Sequence, residues 1–190
     1  QRQRYRIPLV LVPPLGVFAW IFDLMADRSL VRYFLAHGYD VYLIDWGAPN
    51  RDDKYLTLET YVGHWLPLAM KAIREHSGRD QLSMMGYCMG GLLCLLYLAA
   101  SKDRGVVNLV TIASPVDMHK TASGRLSALI EAPAHLIRKT TGFRLDRLDD
   151  RLFHVPGPVL SFLFRMSNPM ATVSSYVELL RNLGDDDYVA

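Results

Sequence analysis

A cysteine bracketed by glycines is the residue in this sequence best suited to chemistry. Cys88 lies in GYCMGG (residues 86–91), between a short apolar run and a longer run rich in Leu and Ala. That order predicts a strand, a tight turn and a helix, in the pattern G-x-S-x-G with Cys in place of Ser. Glycines two residues to either side would let the strand and the helix approach closely. The pattern therefore predicts that Cys88 is a nucleophile lifted to the edge of a sheet.

The other cysteine, Cys94, is predicted to be a core residue, since it lies among leucines in the following helix. The spacing of the two cysteines fits neither a C-x-x-C redox pair nor a pair of zinc ligands. We therefore expect no metal and no cofactor. A structural alternative for Cys88 stays open, because free cysteine is often a small buried hydrophobe.

The elements that must position Cys88 follow from apolar runs and helical periodicity. Four runs predict strands, the first two of them buried: residues 7–12, 39–45, 82–85 and 106–112. Helices are predicted between them, with Ser29 and Thr57 as N-caps and Gly38 and Gly78 at the ends, and with a core helix at 90–100. Strands that alternate with helices predict an α/β fold with a parallel sheet and helices on both faces.

Composition excludes several classes of protein. The 190 residues are 51% hydrophobic, which is enough for one substantial core, and a net charge of +2 argues against a nucleic-acid partner. No apolar run is long enough to be transmembrane. Two cysteines in apolar settings fit a reducing compartment such as the cytoplasm. The charged start QRQRYR, without Met, is not a signal peptide and predicts a segment of a longer protein.

The second part of the chain has a different character. No convincing buried strand follows residue 114, and helix-like patches are separated by Pro-Gly-Pro and Asn-Pro breaks. We predict that residues 1–114 form the first part of a catalytic core and that residues 115–190 form a mainly helical cap or lid. Charged residues at 138–151 could contact an anionic substrate or form a solvated face with compensating pairs.

These residues resemble the polyhydroxyalkanoate (PHA) synthases, which have an α/β-hydrolase fold and a cysteine nucleophile. The resemblance covers most of the first 120 residues and rests on LVPPLGVFAWIFDL, DRSLVRYFLAHGYDVYLIDWGAP, TLETYV and GYCMGG. The segment NPMATVSSYVELLRNLGDDDYV is also similar. The combination of these strings is more specific than the nucleophile turn alone, which thioesterases and dienelactone hydrolases share.

The resemblance implies transfer of (R)-3-hydroxyacyl groups from coenzyme A thioesters to a growing polyester through a covalent thioester on Cys88. Its partners would be the 3-hydroxyacyl-CoA substrate and the polyester product, and its location the surface of a polyester granule. A homodimer and a second synthase subunit are both compatible with the resemblance. DWGAP is similar to the short-chain, two-subunit branch of the family.

An oxyanion hole is expected beside the nucleophile. The Met89 amide follows Cys88 and is the first candidate donor. The second donor should come from the loop PPLG after the first strand, whose prolines have no N–H, so that Leu15 is the first choice and Gly16 the second. PPLG could equally be only a turn. Asp23 matches an acidic residue in the family's DL string, and both a structural and a catalytic role stay open.

The sequence departs from the family in its acid and base. The family's catalytic Asp and His lie on loops after later strands, which are not present in these residues. Six histidines are available: His37, His64, His76, His119, His135 and His154. The first three are expected to be remote from Cys88, and none matches the family's histidine by motif, although His119 follows a strand end near Asp117.

Without a base, the segment alone is expected to be inactive or nearly so. We favour a piece of a complete synthase, because a sheet without its last strands would leave a long unpaired edge. Two alternatives are a cysteine-dependent thioesterase or esterase of the same fold, and a non-catalytic remnant that binds granules or other subunits.

Overall fold

The computed structural model describes residues 5–48, 53, 55–117 and 181. Apart from residue 181 these lie in one compact unit, Gln1–Asp117. Apart from residue 181, the predicted cap from residue 118 onward lies outside the described residues. So do the charged run at 138–151 and the last three histidines of the sequence.

Four strands form one parallel sheet. They are β1 (Leu9–Val12), β2 (Val41–Leu43), β3 (Leu82–Tyr87) and β4 (Val106–Ile112), in the order β2-β1-β3-β4. All three pairings are parallel, and they place Val12 beside Gly86 and Tyr87 beside Ile112. The carboxyl ends of β1, β3 and β4 therefore meet at one edge of the sheet.

Helices connect the strands as predicted. They are α1 (Leu30–Ala36), α2 (Leu66–Ser77) and α3 (Met89–Ser101), with a 3-10 turn at Ala19–Phe22 and a π-helical segment at Thr60–Trp65. Both predicted N-caps are confirmed. Ser29 Oγ accepts a hydrogen bond from the Arg32 amide at 2.9 Å, and Thr57 Oγ1 accepts one from the Thr60 amide at 3.4 Å. Each cap satisfies an amide that the helix itself cannot pair.

The core lies on both faces of the sheet, because β1 alternates between them. Leu9 and Leu11 pack with Phe22 against side chains of α1. Val10 and Val12 pack on the other face, where the buried side chains of α2 and α3 are Leu66, Met70, Ile73, Leu93, Cys94 and Tyr97. The α/β fold with helices on both faces is thus confirmed, and β1 is buried on both sides as predicted.

One detail of the prediction is wrong, and one predicted helix is irregular. The second strand is shorter than 39–45 and is not fully buried: it pairs only with β1 among the described strands, and Leu43 is 37% exposed. The helix that follows Thr57 is not uniformly α-helical. Pro67 has no N–H and so cannot donate to the carbonyl four residues earlier. Just before it, the Leu66 amide donates to the Tyr61 carbonyl five residues back, which is the π-helical pattern.

Within the described residues, each helix is too short or too polar to cross a lipid bilayer.

Candidate active site at the carboxyl edge of the sheet

Cys88 forms the sharp bend between β3 and α3. Its backbone angles are φ 52° and ψ −122°, a conformation that non-glycine residues rarely adopt and that costs on the order of 1–3 kcal/mol. Hydrogen bonds hold the bend on both sides: the Cys88 amide donates to the Ile112 carbonyl at 2.7 Å, and the Gly91 amide donates to the Cys88 carbonyl at 3.0 Å. The predicted strand, turn and helix are therefore present, with the cysteine at the bend.

The flanking glycines permit contacts that a side chain would block. A Cβ built on Gly86 would lie 2.5 Å from the Gly91 nitrogen, and one on Gly90 would lie 2.7 Å from the Pro13 carbonyl oxygen. Both distances are far below van der Waals contact, and both neighbours are backbone atoms that cannot rotate away. The first turn of α3 thus rests directly on the ends of β1 and β3.

The two cysteines differ in access and in charge state. Cys94 is fully buried, as predicted, and burial raises the pKa of its thiol to about 12. At neutral pH it is a neutral thiol without access to solvent, and the thiolate is the reactive form of cysteine. Cys88 is partly exposed. Of the two, only Cys88 is placed to react with a molecule from solution.

The segments that carry the predicted oxyanion donors meet at this bend. Met89 is the first residue of α3, and Leu15 follows the end of β1, which contacts that first turn through Pro13. Among the described residues, neither amide has a hydrogen-bond acceptor. An oxyanion needs donors that are free and preorganised. Both amides satisfy the first of these requirements.

Two contacts at this edge were not predicted. The Trp46 indole N–H, just after β2, donates to the Pro13 carbonyl at 3.0 Å. The Ser114 side chain, just after β4, packs against Gly91 and accounts for the absence of a side chain there. Both residues directly follow predicted strands, which is where ligand-binding residues gather in open α/β sheets. That position was the signal that could have found them.

Asp23 has a structural role in the described residues. It ends the 3-10 turn, forms an isolated bridge with Ser29 and lies 3.6 Å from the Arg32 guanidinium. These contacts fix the entry into α1.

Two of the described histidines, His37 and His76, lie away from the bend as predicted. His37 follows α1 and bonds to the Tyr33 carbonyl at 2.7 Å, and His76 lies in the last turn of α2 and bonds to Tyr42 at 2.9 Å. Both therefore precede the amino ends of strands, at the edge opposite Cys88. His64 lies in the π-helical segment. The described part of the chain thus assigns no histidine as a base for Cys88.

An open, mainly apolar depression of about 390 Å³ is lined by Phe18, Ala19, Trp20 and Asp45. Its residues follow the carboxyl ends of β1 and β2, and Phe18 and Trp20 are 53% and 64% exposed. No cluster of three or more potential metal ligands occurs within the described ranges.

Comparisons with known proteins agree with this geometry. The model of the alpha/beta hydrolase fold family matches residues 15–133. The poly(3-hydroxyalkanoate) polymerase subunit PhaC of Allochromatium vinosum is 35% identical over 96% of this chain and 48% of its own length. The corresponding subunit of Haloferax mediterranei is 32% identical over 98% of this chain and 36% of its own length. The chain thus spans about half or less of these relatives.

Solved structures show the same fold. The mature form of Bacillus licheniformis lipase BlEst2 superposes with a TM-score of 0.52 at 15% identity, and the match covers 90% of this chain and 62% of that one. At that identity the likeness concerns the fold alone.

Proposed function

Because this chain belongs to the alpha/beta hydrolase fold family, and within it to the polyhydroxyalkanoate synthases, we propose that Cys88 is the nucleophile of a polyester-forming acyltransferase. The substrate would be an (R)-3-hydroxyacyl coenzyme A thioester and the product a polyhydroxyalkanoate. The observation that carries the proposal is the strained, partly exposed Cys88 at the bend between β3 and α3. Backbone strain of this kind persists where the surrounding structure holds it, and such sites are commonly functional.

The proposed reaction has two transfers. The Cys88 thiolate attacks the thioester carbonyl, the bond from that carbon to the coenzyme A sulfur breaks, and coenzyme A leaves as a thiolate. A hydroxyl oxygen of the next 3-hydroxyacyl unit then attacks the acyl-cysteine, loses its proton to a base and releases the Cys88 thiolate. Exchange of one thioester for another is close to balanced in energy, so the acyl-enzyme can wait for the hydroxyl.

Both transfers pass through an oxyanion, and we assign its stabilisation to the amides of Met89 and Leu15. Neither has an acceptor among the described residues, and both flank the corner where β1 meets α3. The amino end of α3 adds a partial positive charge at the same place. Removing one donor of an oxyanion hole typically lowers kcat by about 10²–10³.

The second transfer needs a general base and the exclusion of water. No described histidine is hydrogen-bonded to Cys88, so the base stays unassigned, and the isolated chain is expected to turn over little or no substrate. Water would convert the polymerase into a hydrolase. The predicted helical cap over 115–190, almost all of it outside the described residues, is our proposed shield.

The same family membership supports a proposal for the setting of the reaction. We propose that the protein works at the surface of the polyester granule, where its product accumulates. We also propose assembly with a second copy or with a second synthase subunit.

The test uses the full-length protein with (R)-3-hydroxybutyryl-CoA. Released coenzyme A is measured by its thiol, and the acyl product is separated into polymer and free acid. Cys88→Ala should lower coenzyme A release at least about 10³-fold, as expected for loss of a nucleophile. Cys94→Ala is the matched control, because this variant removes the buried cysteine and should keep most of the activity.

Two outcomes would refute the proposal. Unchanged coenzyme A release in Cys88→Ala would show that Cys88 is not the nucleophile. Free 3-hydroxybutyrate in place of polymer would identify a thioesterase of the same fold.

A further inference from the structure

The indole of Trp46 links the end of β2 to the end of β1. Its N–H donates to the Pro13 carbonyl oxygen at 3.0 Å, and the ring is partly buried. Pro13 is followed by a second proline, so Leu15 is the first residue after β1 that has a backbone N–H. The hydrogen bond from Trp46 therefore acts on the peptide group directly before the one that carries the proposed oxyanion donor.

The Pro13 carbonyl is held from a second side. A Cβ built on Gly90 would lie 2.7 Å from this oxygen and 2.8 Å from the carbonyl carbon, so the first turn of α3 rests on the same peptide group. The carbonyl is thus fixed between the indole of Trp46 and the turn that follows Cys88. Any rotation of the Pro13–Pro14 peptide would either break the hydrogen bond or press on α3.

Trp46 is itself held by aromatic packing. Its ring lies edge-on to Tyr61, with centroids 5.3 Å apart and an interplanar angle of 84°. Tyr61 packs in the same way against Trp65, with centroids 4.9 Å apart. Tyr61 and Trp65 both belong to the π-helical segment, a form of helix that is frequent at functional sites. Trp46 and Leu15 both pack against the core cluster on the α2 and α3 face of the sheet.

We propose that Trp46 is a positioning residue that sets the orientation of the Leu15 amide through the Pro13 carbonyl. The inference rests on the proposed function, because it gives Leu15 a role only if an acyl group is transferred to Cys88. The edge-on packing of Tyr61 on Trp46 then supplies the rigidity, and the indole N–H supplies the direction. Preorganised donors are effective because they need no reorientation during the reaction.

The test is Trp46→Phe in the full-length protein, which removes the N–H and retains an aromatic ring for the stack. Release of coenzyme A in the first turnover is measured over a range of (R)-3-hydroxybutyryl-CoA concentrations. We expect the limiting acylation rate to fall about 10- to 100-fold, with the half-saturating concentration changed by less than about twofold, because the substrate still binds while the oxyanion is held less well. Trp65→Phe is the matched control, since it removes an indole from the same stack but not the bond to Pro13.

A second measurement separates positioning from general damage. Alkylation of Cys88 by iodoacetamide forms no oxyanion and depends on the thiolate and its access. Its rate should stay within about twofold of the wild-type rate in Trp46→Phe. An unchanged acylation rate would overturn the inference, and so would an equal loss of acylation and alkylation or an equal effect of Trp65→Phe.

Failure of the proposed function would look different. In that case the wild-type protein would form no acyl-enzyme at Cys88, as read by mass spectrometry of the first turnover, and the inference would fall with the function. If acyl-Cys88 forms in the wild type, each result with Trp46→Phe bears on the inference alone.

Discussion

Cys88 combines a reactive side chain with a backbone conformation that a side chain disfavours. Among the described residues other than glycine, a positive φ occurs at Cys88 (52°), Lys102 and Ala113. A glycine at this position would remove the strain but also the sulfur. The strained backbone of Cys88 therefore lowers stability at the same residue to which we assign the chemistry.

The first prediction compares glycine with alanine at both cysteines. At position 88, Cys88→Gly should unfold with a free energy about 1 kcal/mol higher than Cys88→Ala, because glycine adopts a positive φ without strain. At position 94, inside α3, the free energy of unfolding of Cys94→Gly should be about 1 kcal/mol lower than that of Cys94→Ala, because glycine is the poorer helix former. Urea unfolding followed by tryptophan fluorescence measures both differences. The same sign at both positions would contradict a strained bend at Cys88.

At the scale of elements, the site depends on how closely α3 approaches the sheet. Gly86, Gly90 and Gly91 carry no side chain where β1, β3 and the Ser114 loop press against the helix. The amino end of α3 can therefore lie directly above the carboxyl ends of β1 and β3. This packing places the Met89 amide and the β1 loop at one corner.

The second prediction contrasts two helical glycines. Gly90→Ala should lower the free energy of unfolding by roughly 1–3 kcal/mol, since its Cβ would meet the fixed Pro13 backbone. Gly63→Ala should change it by less than about 1 kcal/mol, because its Cβ would meet only the flexible Glu59 side chain and because alanine favours helix. Chemical unfolding of the two variants provides the measurement. Equal costs would argue against close packing of α3 on β1.

At the scale of the described unit, a polar network joins α2, α3 and the turn before β4. The Arg74 guanidinium donates to both Asp103 carboxylate oxygens at 2.9 and 2.8 Å, and its Nε donates to the Asp80 carbonyl at 2.8 Å. Tyr97 donates to Asp103, and the Gly105 amide donates to it at 2.9 Å. Burial and then the bond to Asp103 raise the pKa of Tyr97 to about 12, so its hydroxyl stays a donor at neutral pH.

The pKa of Asp103 carries the third prediction. Burial alone would raise this pKa, but the hydrogen bonds from Tyr97 and Arg74 outweigh it and leave it lowered. A lowered folded-state pKa adds stability above the unfolded-state value of about 3.9, and this stability is lost as the pH falls through the folded-state value. Asp103→Asn should therefore cost about 1.5–3 kcal/mol at pH 7 and progressively less below about pH 4.

Urea unfolding at pH 7, 5 and 3 measures this dependence. Asp80→Asn is the control, since Arg74 binds the backbone carbonyl of Asp80 and the Asp80 side chain is exposed. A cost for Asp103→Asn that stays constant from pH 7 to pH 3 would show that its charge contributes nothing.

The sequence alone determined the elements and the bend at Cys88, because both depend on local patterns. The glycines around Cys88, the N-caps Ser29 and Thr57 and the alternation of apolar runs act within a few residues of the chain. The sequence also predicted the role of Cys94, since a cysteine among leucines in a helix has few alternatives. The boundaries of β2 were less well predicted, because burial of a strand depends on its neighbours in the sheet.

Only the tertiary structure decided which distant residues meet. The bond from Trp46 to Pro13 spans 33 residues, and the contact of Arg74 with Asp103 spans 29. The π-helical segment before α2 also could not be predicted from the sequence. Pro67 shows that one backbone hydrogen bond is missing, but it does not show which hydrogen bonds form around it. Strand order brings these positions together, and strand order is set by the free energy of packing the whole sheet, which no local pattern in the sequence contains.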